Sequence, residues 1–320
     1  MLAPLHARTW ENNDGKKIEA ELTGIDGENA VLQKDGRTFK VAISSLSAAD
    51  RDFIKSWKPA EPAEDPKSAR AKEKPPSKKG FCLSTKTNPD WQDKLKTLNA
   101  SWVYMWKAEK PEDVPRGIEY VPMVFGKKDR TEANVEYVKN AKRKEDFRFL
   151  LGFNEPDGSN QANMTVEEAL AAWPKLMEAG LPLVSPAAVR VEGEWMEAFM
   201  DGVEKKGYRV DYIAIHHYGG SDPEAFLKRL ERVHKKYKRP LWITEFAVAD
   251  WQANELSENR FSTGEIKKFM REVLPKLERL DYVYRYAWFS SSPSEARLGN
   301  SALFKDDGSL TELGEIYAKH

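Results

Sequence analysis

FLLGFNEPD, residues 149–157, runs from a short apolar stretch straight into an acidic turn. An apolar run of this length, closed by turn residues, reads as a buried strand rather than a helix. Its end carries a lone glutamate, Glu155, behind Asn154. LWITEF, residues 241–246, repeats the arrangement with Glu245. Six more short apolar runs flank these two: Phe81–Leu83, Trp102–Trp106, Val121–Phe125, Leu183–Ser185, Tyr212–His216 and Val283–Trp288. Amphipathic stretches lie between them, at 165–179 behind the cap Thr165, at 222–237 and at 262–278. Strand and helix in alternation, eight times over, predict the α/β class and a (β/α)8 TIM barrel over residues 80–320. The second and third connections look short, so a helix there is expected to be reduced. The competing fold is a doubly wound open sheet. It would bring a glycine-rich turn after the first strand, and Ser84-Thr85-Lys86-Thr87 is not one.

Catalytic side chains of such barrels sit at the C-terminal ends of strands. Glu155 and Glu245 end the candidate fourth and seventh strands, nearly opposite each other around an eight-strand ring. Two carboxyl groups over one mouth suit glycoside hydrolysis, in which one protonates the leaving oxygen and the other attacks or activates water. A carboxylate at an apolar strand end is costly to desolvate and is seldom placed there for packing. The structural alternative is an ion pair with Arg285 or at the barrel rim. His216 and Tyr218 share one face at the end of the sixth strand, because strand side chains alternate. Tyr218 is placed to hydrogen-bond Glu245; the alternatives are a satisfied core histidine for His216 and ordinary barrel packing for Tyr218. Trp288 is expected to floor the sugar, and Trp106 and Trp251 to stack on neighbouring rings, with Trp102 the best candidate for plain core.

Residues 58–79, KPAEPAEDPKSARAKEKPPSKK, hold five prolines and no aliphatic side chain larger than alanine. Such a segment buries too little apolar surface to offset the entropy of ordering and reads as a linker. Ahead of it, Ile18, Ala20 and Leu22 alternate, as do Phe39, Val41 and Ile43, with turns at Asp14-Gly15, Asp26-Gly27 and Asp35-Gly36. A short helix behind Ser47 completes a small β-barrel module over 7–57. Lys plus Arg and Asp plus Glu balance at 51 each, so nothing favours nucleic acid or an anionic membrane. No apolar stretch is long enough to span a membrane. The single cysteine, Cys82, excludes an internal disulfide, and the five histidines show no metal-ligand spacing. The opening Met-Leu-Ala-Pro-Leu-His lacks the profile of a signal peptide. We expect a secreted or periplasmic monomer whose leader is absent from this chain. Asn163-Met164-Thr165 matches a glycosylation sequon but reads as loop and helix cap.

The phrases SWVYMW, YVPMVFG, LLGFNEPD, QANMTVEEA, DYIAIHHYG, LWITEFA, YRYAWF and LFKDDGSLTELG follow one another along 80–320. In that order they resemble glycoside hydrolase clan A and, within it, family 128, mostly endo-acting β-1,3-glucanases. The resemblance implies Glu155 as acid/base, Glu245 as nucleophile, Asn154 as partner of a sugar 2-hydroxyl, a retaining mechanism, and no metal or cofactor. A β-glucan is the implied partner. A hydrolase of another β-linked glycan, or an idle glycan-binding protein on the same frame, are the alternatives. An idle binder has no need of both glutamates. In the front module RTW, DGKKIEAEL and VLQKDGRTFKVAISSLSAAD resemble Sla-homology domains, SH3-like folds. That implies a binding role with a partner of its own and no chemistry.

Overall fold

The computed structural model describes residues 8–34, 37–56, 77–126 and 130–320. The chain divides into two compact units, Met1–Lys74 and Pro75–His320.

In the first unit the alternating segments pair as a four-stranded antiparallel sheet: β1 (Arg8–Glu11), β2 (Lys17–Asp26), β3 (Asn29–Lys34) and β4 (Arg37–Ala42), in that order. The Asp26-Gly27 turn between β2 and β3 works because Gly27 takes φ +60, a region costly for a residue with a Cβ. The Ser47 hydroxyl accepts from the Asp50 amide at 3.2 Å and so starts α1 (Ala48–Ser56). Trp10, Ala20, Leu22, Ala30, Leu32, Leu46 and Ile54 form this unit's core. The Asp35-Gly36 turn and the bulk of the 58–79 linker lie outside the described residues.

The end of that linker belongs instead to the second unit. Lys79 opens β5 (Lys79–Cys82), and both Lys78 and Lys79 are buried. Lys78 Nζ donates to the Leu277, Glu278 and Leu280 carbonyls, and Lys79 Nζ to those of Tyr317 and Ala318. Cations there complement the carbonyl ends of two helices, which is why a charged pair leaves solvent.

All neighbours in the main sheet of the second unit are parallel. Its order is β10 (Ile213–Gly219), β11 (Leu241–Val248), β12 (Val283–Phe289), β5, β6 (Trp102–Tyr104), β7 (Glu119–Tyr120). β8 (Leu150–Leu151) pairs with β9 (Leu183–Val184), and single parallel bridges link Met123 to Leu151 and Val184 to Tyr212. The regular part of the third strand lies N-terminal to its expected place; beyond it the Val121 amide still donates to the Val103 carbonyl, but that of Met123 turns to the Lys107 carbonyl at 3.1 Å. Helices α2 (Trp91–Thr97), α3 (Thr131–Ala141), α4 (Val166–Glu178), α5 (Glu194–Lys206), α6 (Pro223–Tyr237), α7 (Thr263–Arg279) and α8 (Glu312–Lys319) follow the strands. No α-helix lies between β6 and β7, as the short connection suggested, whereas the next connection carries α3. Thr165 and Glu168 cap α4 reciprocally, the cap expected of the Asn163-Met164-Thr165 segment.

Period-two alternation sorts the strand side chains into two cores. Trp102, Tyr104, Met123, Phe149, Leu151, Ala214, Trp242 and Ala287 meet on one face, while Val103, Leu150, Ile215, Ile243 and Trp288 pack against the helices. The first face holds Arg285, which pairs with Glu119 at 2.6 Å and lies over the rings of Trp102, Phe149 and Trp242. Arg285 is thus committed to Glu119 and to neither candidate catalytic glutamate. Among the described residues no helix is long and apolar enough to cross a membrane.

Candidate active site

Where β10 and β11 end, the ladder breaks its register. Ile215 pairs with Ile243, but His216 pairs with Glu245, so Thr244 is the extra residue of a bulge. Strict alternation would send Glu245 to the helix side, since Trp242 faces the inner core. The bulge turns it inward, a common device beside reactive groups. Glu155 reaches the same place differently. Its φ is +43, and its amide donates to the Ala187 carbonyl at 2.9 Å. Trp106, at the end of β6, also stands in the left-handed region, at φ +51. Two bulky residues held there, both at one cleft, are strained positions maintained by their surroundings.

Glu245 is buried and crowded with donors. Its Oε1 accepts from the Tyr104 hydroxyl at 2.6 Å and the Trp106 indole at 2.9 Å, and Oε2 accepts from the Tyr218 hydroxyl. Burial, with the Glu245 carboxylate next in importance, pushes the phenols of Tyr104 and Tyr218 well above their ordinary range, so both remain donors. His216 stands between the two glutamates and is 3% exposed. Its Nδ1 is 2.8 Å from Glu155 Oε1, and its Nε2 is 3.3 Å from Glu245 Oε1. The second contact lies off the ring's N–H axis and forms no hydrogen bond. Burial works against the imidazolium, but the charges of Glu245 and Glu155 outweigh it and hold His216 above its ordinary value. The neighbouring His217 goes the other way, to about 3, through burial and the Arg229 guanidinium that donates to its Nδ1 at 2.9 Å.

Glu155, His216 and Glu245 each present one donor atom, all within 4.8 Å of one another. Around them opens a cleft of about 750 Å³. Asn154 lines it beside Glu155, donates to Gln161 at 3.2 Å and leaves its buried Oδ1 unpartnered. The aromatic lining is Trp106, Phe125, Tyr218, Trp251 and Phe289, and Trp251 is the most open of them at 53% exposure. Its indole donates to the Tyr218 carbonyl at 3.1 Å.

Of the residues singled out from sequence, Glu155, Glu245, Asn154, Trp106, His216, Tyr218 and Trp251 all come together here. Trp288 does not. It follows the inward-facing Ala287, so alternation sends it to the helix side, fully buried with its indole donating to the Ser301 carbonyl. No sugar reaches it there; Phe289 faces the cleft instead. Tyr104 escaped the sequence reading although its spacing from Trp102 and Trp106 puts it on their face. Gln161, Val189, His217 and Arg229 also line the cleft, and no local pattern marks them.

Residues 80–317 match the family described as glycosyl hydrolase catalytic core. The chain belongs to that family. An endo-β-1,3-glucanase of GH128 subgroup I from Amycolatopsis mediterranei, solved as a mutant with laminarihexaose, is 32% identical, with TM-score 0.64, covering 76% of this chain and 98% of that one. A GH128 subgroup II endo-β-1,3-glucanase from Sorangium cellulosum is 31% identical, with TM-score 0.61, over 76% and 98% of the two chains. Alkali-sensitive linkage protein 1 of Schizosaccharomyces pombe is 29% identical over 252 residues, 75% of this chain. This chain spans only 44% of that relative's length. The glycosyl hydrolase core is thus the second unit, and its parallel α/β frame is the one the GH128 structures share.

Proposed function

We propose that residues 80–320 are a retaining, endo-acting β-1,3-glucanase on a (β/α)8 barrel, with Glu155 as acid/base and Glu245 as nucleophile. One observation carries the reading: carboxylate oxygens of Glu155 and Glu245 stand within 4.8 Å of each other in an open, aromatic-lined cleft. That is near the separation of about 5–5.5 Å used by retaining enzymes and short of the roughly 6.5–9.5 Å that leaves room for an inverting water. The bridges from Met123 to Leu151 and from Val184 to Tyr212 support a closed ring of strands. The substrate class rests on the relatives named as endo-β-1,3-glucanases.

In this reading Glu155 gives a proton to the leaving sugar oxygen while Glu245 attacks the anomeric carbon and the glycosidic C–O bond breaks. Glu155 then takes a proton from water, the water oxygen attacks the glycosyl ester, and Glu245 departs as carboxylate. Tyr104, Trp106 and Tyr218 hold Glu245 in one orientation with donors already in place. His216 donates to Glu155 and fixes its carboxyl beside the cleft. Asn154, through its unpartnered Oδ1, receives the 2-hydroxyl. Trp251 and Trp106 carry neighbouring sugars. The front unit is proposed as an SH3-like module for a separate partner, joined by the 58–76 stretch.

The test is a panel of laminarin, lichenan, cellulose and xylan scored for released reducing ends. Cleavage of laminarin alone or best, lost in Glu155→Ala and Glu245→Ala, is the expected result. Full activity in either variant, or no cleavage of any β-glucan, would end the proposal.

A further inference from the structure

We propose that His216 and Glu245, with Glu155 behind them, also form an inhibitory site for a late first-row divalent cation such as Zn²⁺ or Cu²⁺. That the ion inhibits rests on the catalytic reading above; that it binds does not. The His216 ring is set as a metal-ligating imidazole is set. One nitrogen, Nδ1, is held by a carboxylate, Glu155 Oε1 at 2.8 Å, which fixes the ring and turns the other nitrogen forward. That other nitrogen, Nε2, has no hydrogen-bond partner although the side chain is almost wholly buried.

The nearest oxygen confirms the aim. Glu245 Oε1 lies 3.3 Å from Nε2 but off the ring's axis, too oblique for a hydrogen bond. Two donors that each sit about 2.0–2.1 Å from one tetrahedral ion stand roughly 3.3–3.4 Å apart, with the oxygen displaced from the nitrogen lone pair. The His216–Glu245 contact therefore has the bite of a chelate. Glu155, on the Nδ1 side of the ring, orients the imidazole and is not itself a ligand, so water from the cleft fills the remaining positions. Glu245 is also oriented by outside donors, as ligating carboxylates usually are. The ion must take one of their places on Oε1, and the Trp106 indole at 2.9 Å is the weaker holder beside Tyr104 at 2.6 Å. Imidazole with carboxylates selects Cu²⁺ and Zn²⁺ over Mg²⁺ and Ca²⁺, which prefer all-oxygen sites.

The experiment is calorimetric titration of ZnCl₂ into the full chain in metal-free buffer, with MgCl₂ as control, followed by laminarin kinetics. One Zn²⁺ per chain is expected, with no Mg²⁺ binding. His216→Asn should abolish it. Glu155→Gln, the gentler variant, should weaken it by about 10- to 100-fold as loss of an orienting carboxylate does. In kinetics Zn²⁺ should raise KM for laminarin and leave kcat unchanged, and EDTA should reverse the effect. No Zn²⁺ binding, equal binding in the folded His216→Asn chain, or activation by Zn²⁺ each overturns the proposal. Zn²⁺ bound at His216 in a chain that cleaves no glucan would instead uphold the site and sink the hydrolase reading.

Discussion

Glu155 holds its backbone at φ +43 with a Cβ present, and its amide is pinned to the Ala187 carbonyl. That strain is measurable by comparing Glu155→Gly with Glu155→Ala, because both lack the carboxylate and differ only in the methyl group and its backbone consequences. A residue with a Cβ costs about 1–2 kcal/mol in the left-handed region, which glycine avoids. Glycine gives back roughly 0.4–1 kcal/mol through its freer unfolded chain. The difference leaves Glu155→Gly more stable by about 0.8 kcal/mol at the middle of both ranges and by about 1.6 kcal/mol at most. At about 2–4 °C per kcal/mol for a unit of this size, its Tm should exceed that of Glu155→Ala by roughly 2–3 °C, and by about 6 °C at most. Differential scanning calorimetry at matched pH reads this directly, with urea midpoints as a second measure. A Glu155→Ala chain as stable as Glu155→Gly, or more so, would refute the claim that this position stores strain for placement of the carboxyl group.

Tyr218→Phe removes one hydrogen bond to the buried Glu245 carboxylate. A bond to a charged group is worth about 1.5–3 kcal/mol, so kcat/KM on laminarin should fall roughly 10- to 100-fold with unchanged circular dichroism. His216 is held above its ordinary value, so its contribution to stability is complete below about pH 6.5 and fades as pH rises through the raised folded value. The stability gap between wild type and His216→Asn, from urea unfolding across pH, should shrink in that direction; a gap that widens would contradict it. Lys79 is the opposite case, since burial pulls it down to about 8 from 10.5. The unfolded chain then binds more protons between those values, and wild type should gain stability relative to Lys79→Met as pH rises from about 8 to about 10.5.

Much of this was legible in the chain because buried parallel strands have a plain signature. FLLGF and LWIT announce themselves by length and composition, and each ends in a glutamate that the fold brings to the cleft. What escaped depends on single-residue geometry. The inward aim of Glu245 rests on the bulge at Thr244, which no periodicity reveals. Trp288 was misplaced because one step along a strand reverses the face, and Phe289 holds the cleft position. Lys78 and Lys79 look like linker by composition, yet the carbonyl ends of α7 and α8 give their charges partners. Arg229 and Gln161 come from a helix and a loop, and only the three-dimensional path brings them to the glutamates.

The division of labour between Glu155 and Glu245 is tested most directly by azide rescue of the two alanine variants on an activated β-glucoside, read by NMR. In Glu245→Ala, azide enters the space of the missing nucleophile and should give the inverted α-glycosyl azide. In Glu155→Ala the glycosyl ester still forms from a good leaving group, and azide needs no base to attack it, so the retained β-azide is expected. Opposite configurations in the two variants are what the account predicts. The reverse assignment would exchange the roles of the two glutamates, and the same configuration from both would contradict a double displacement through Glu245.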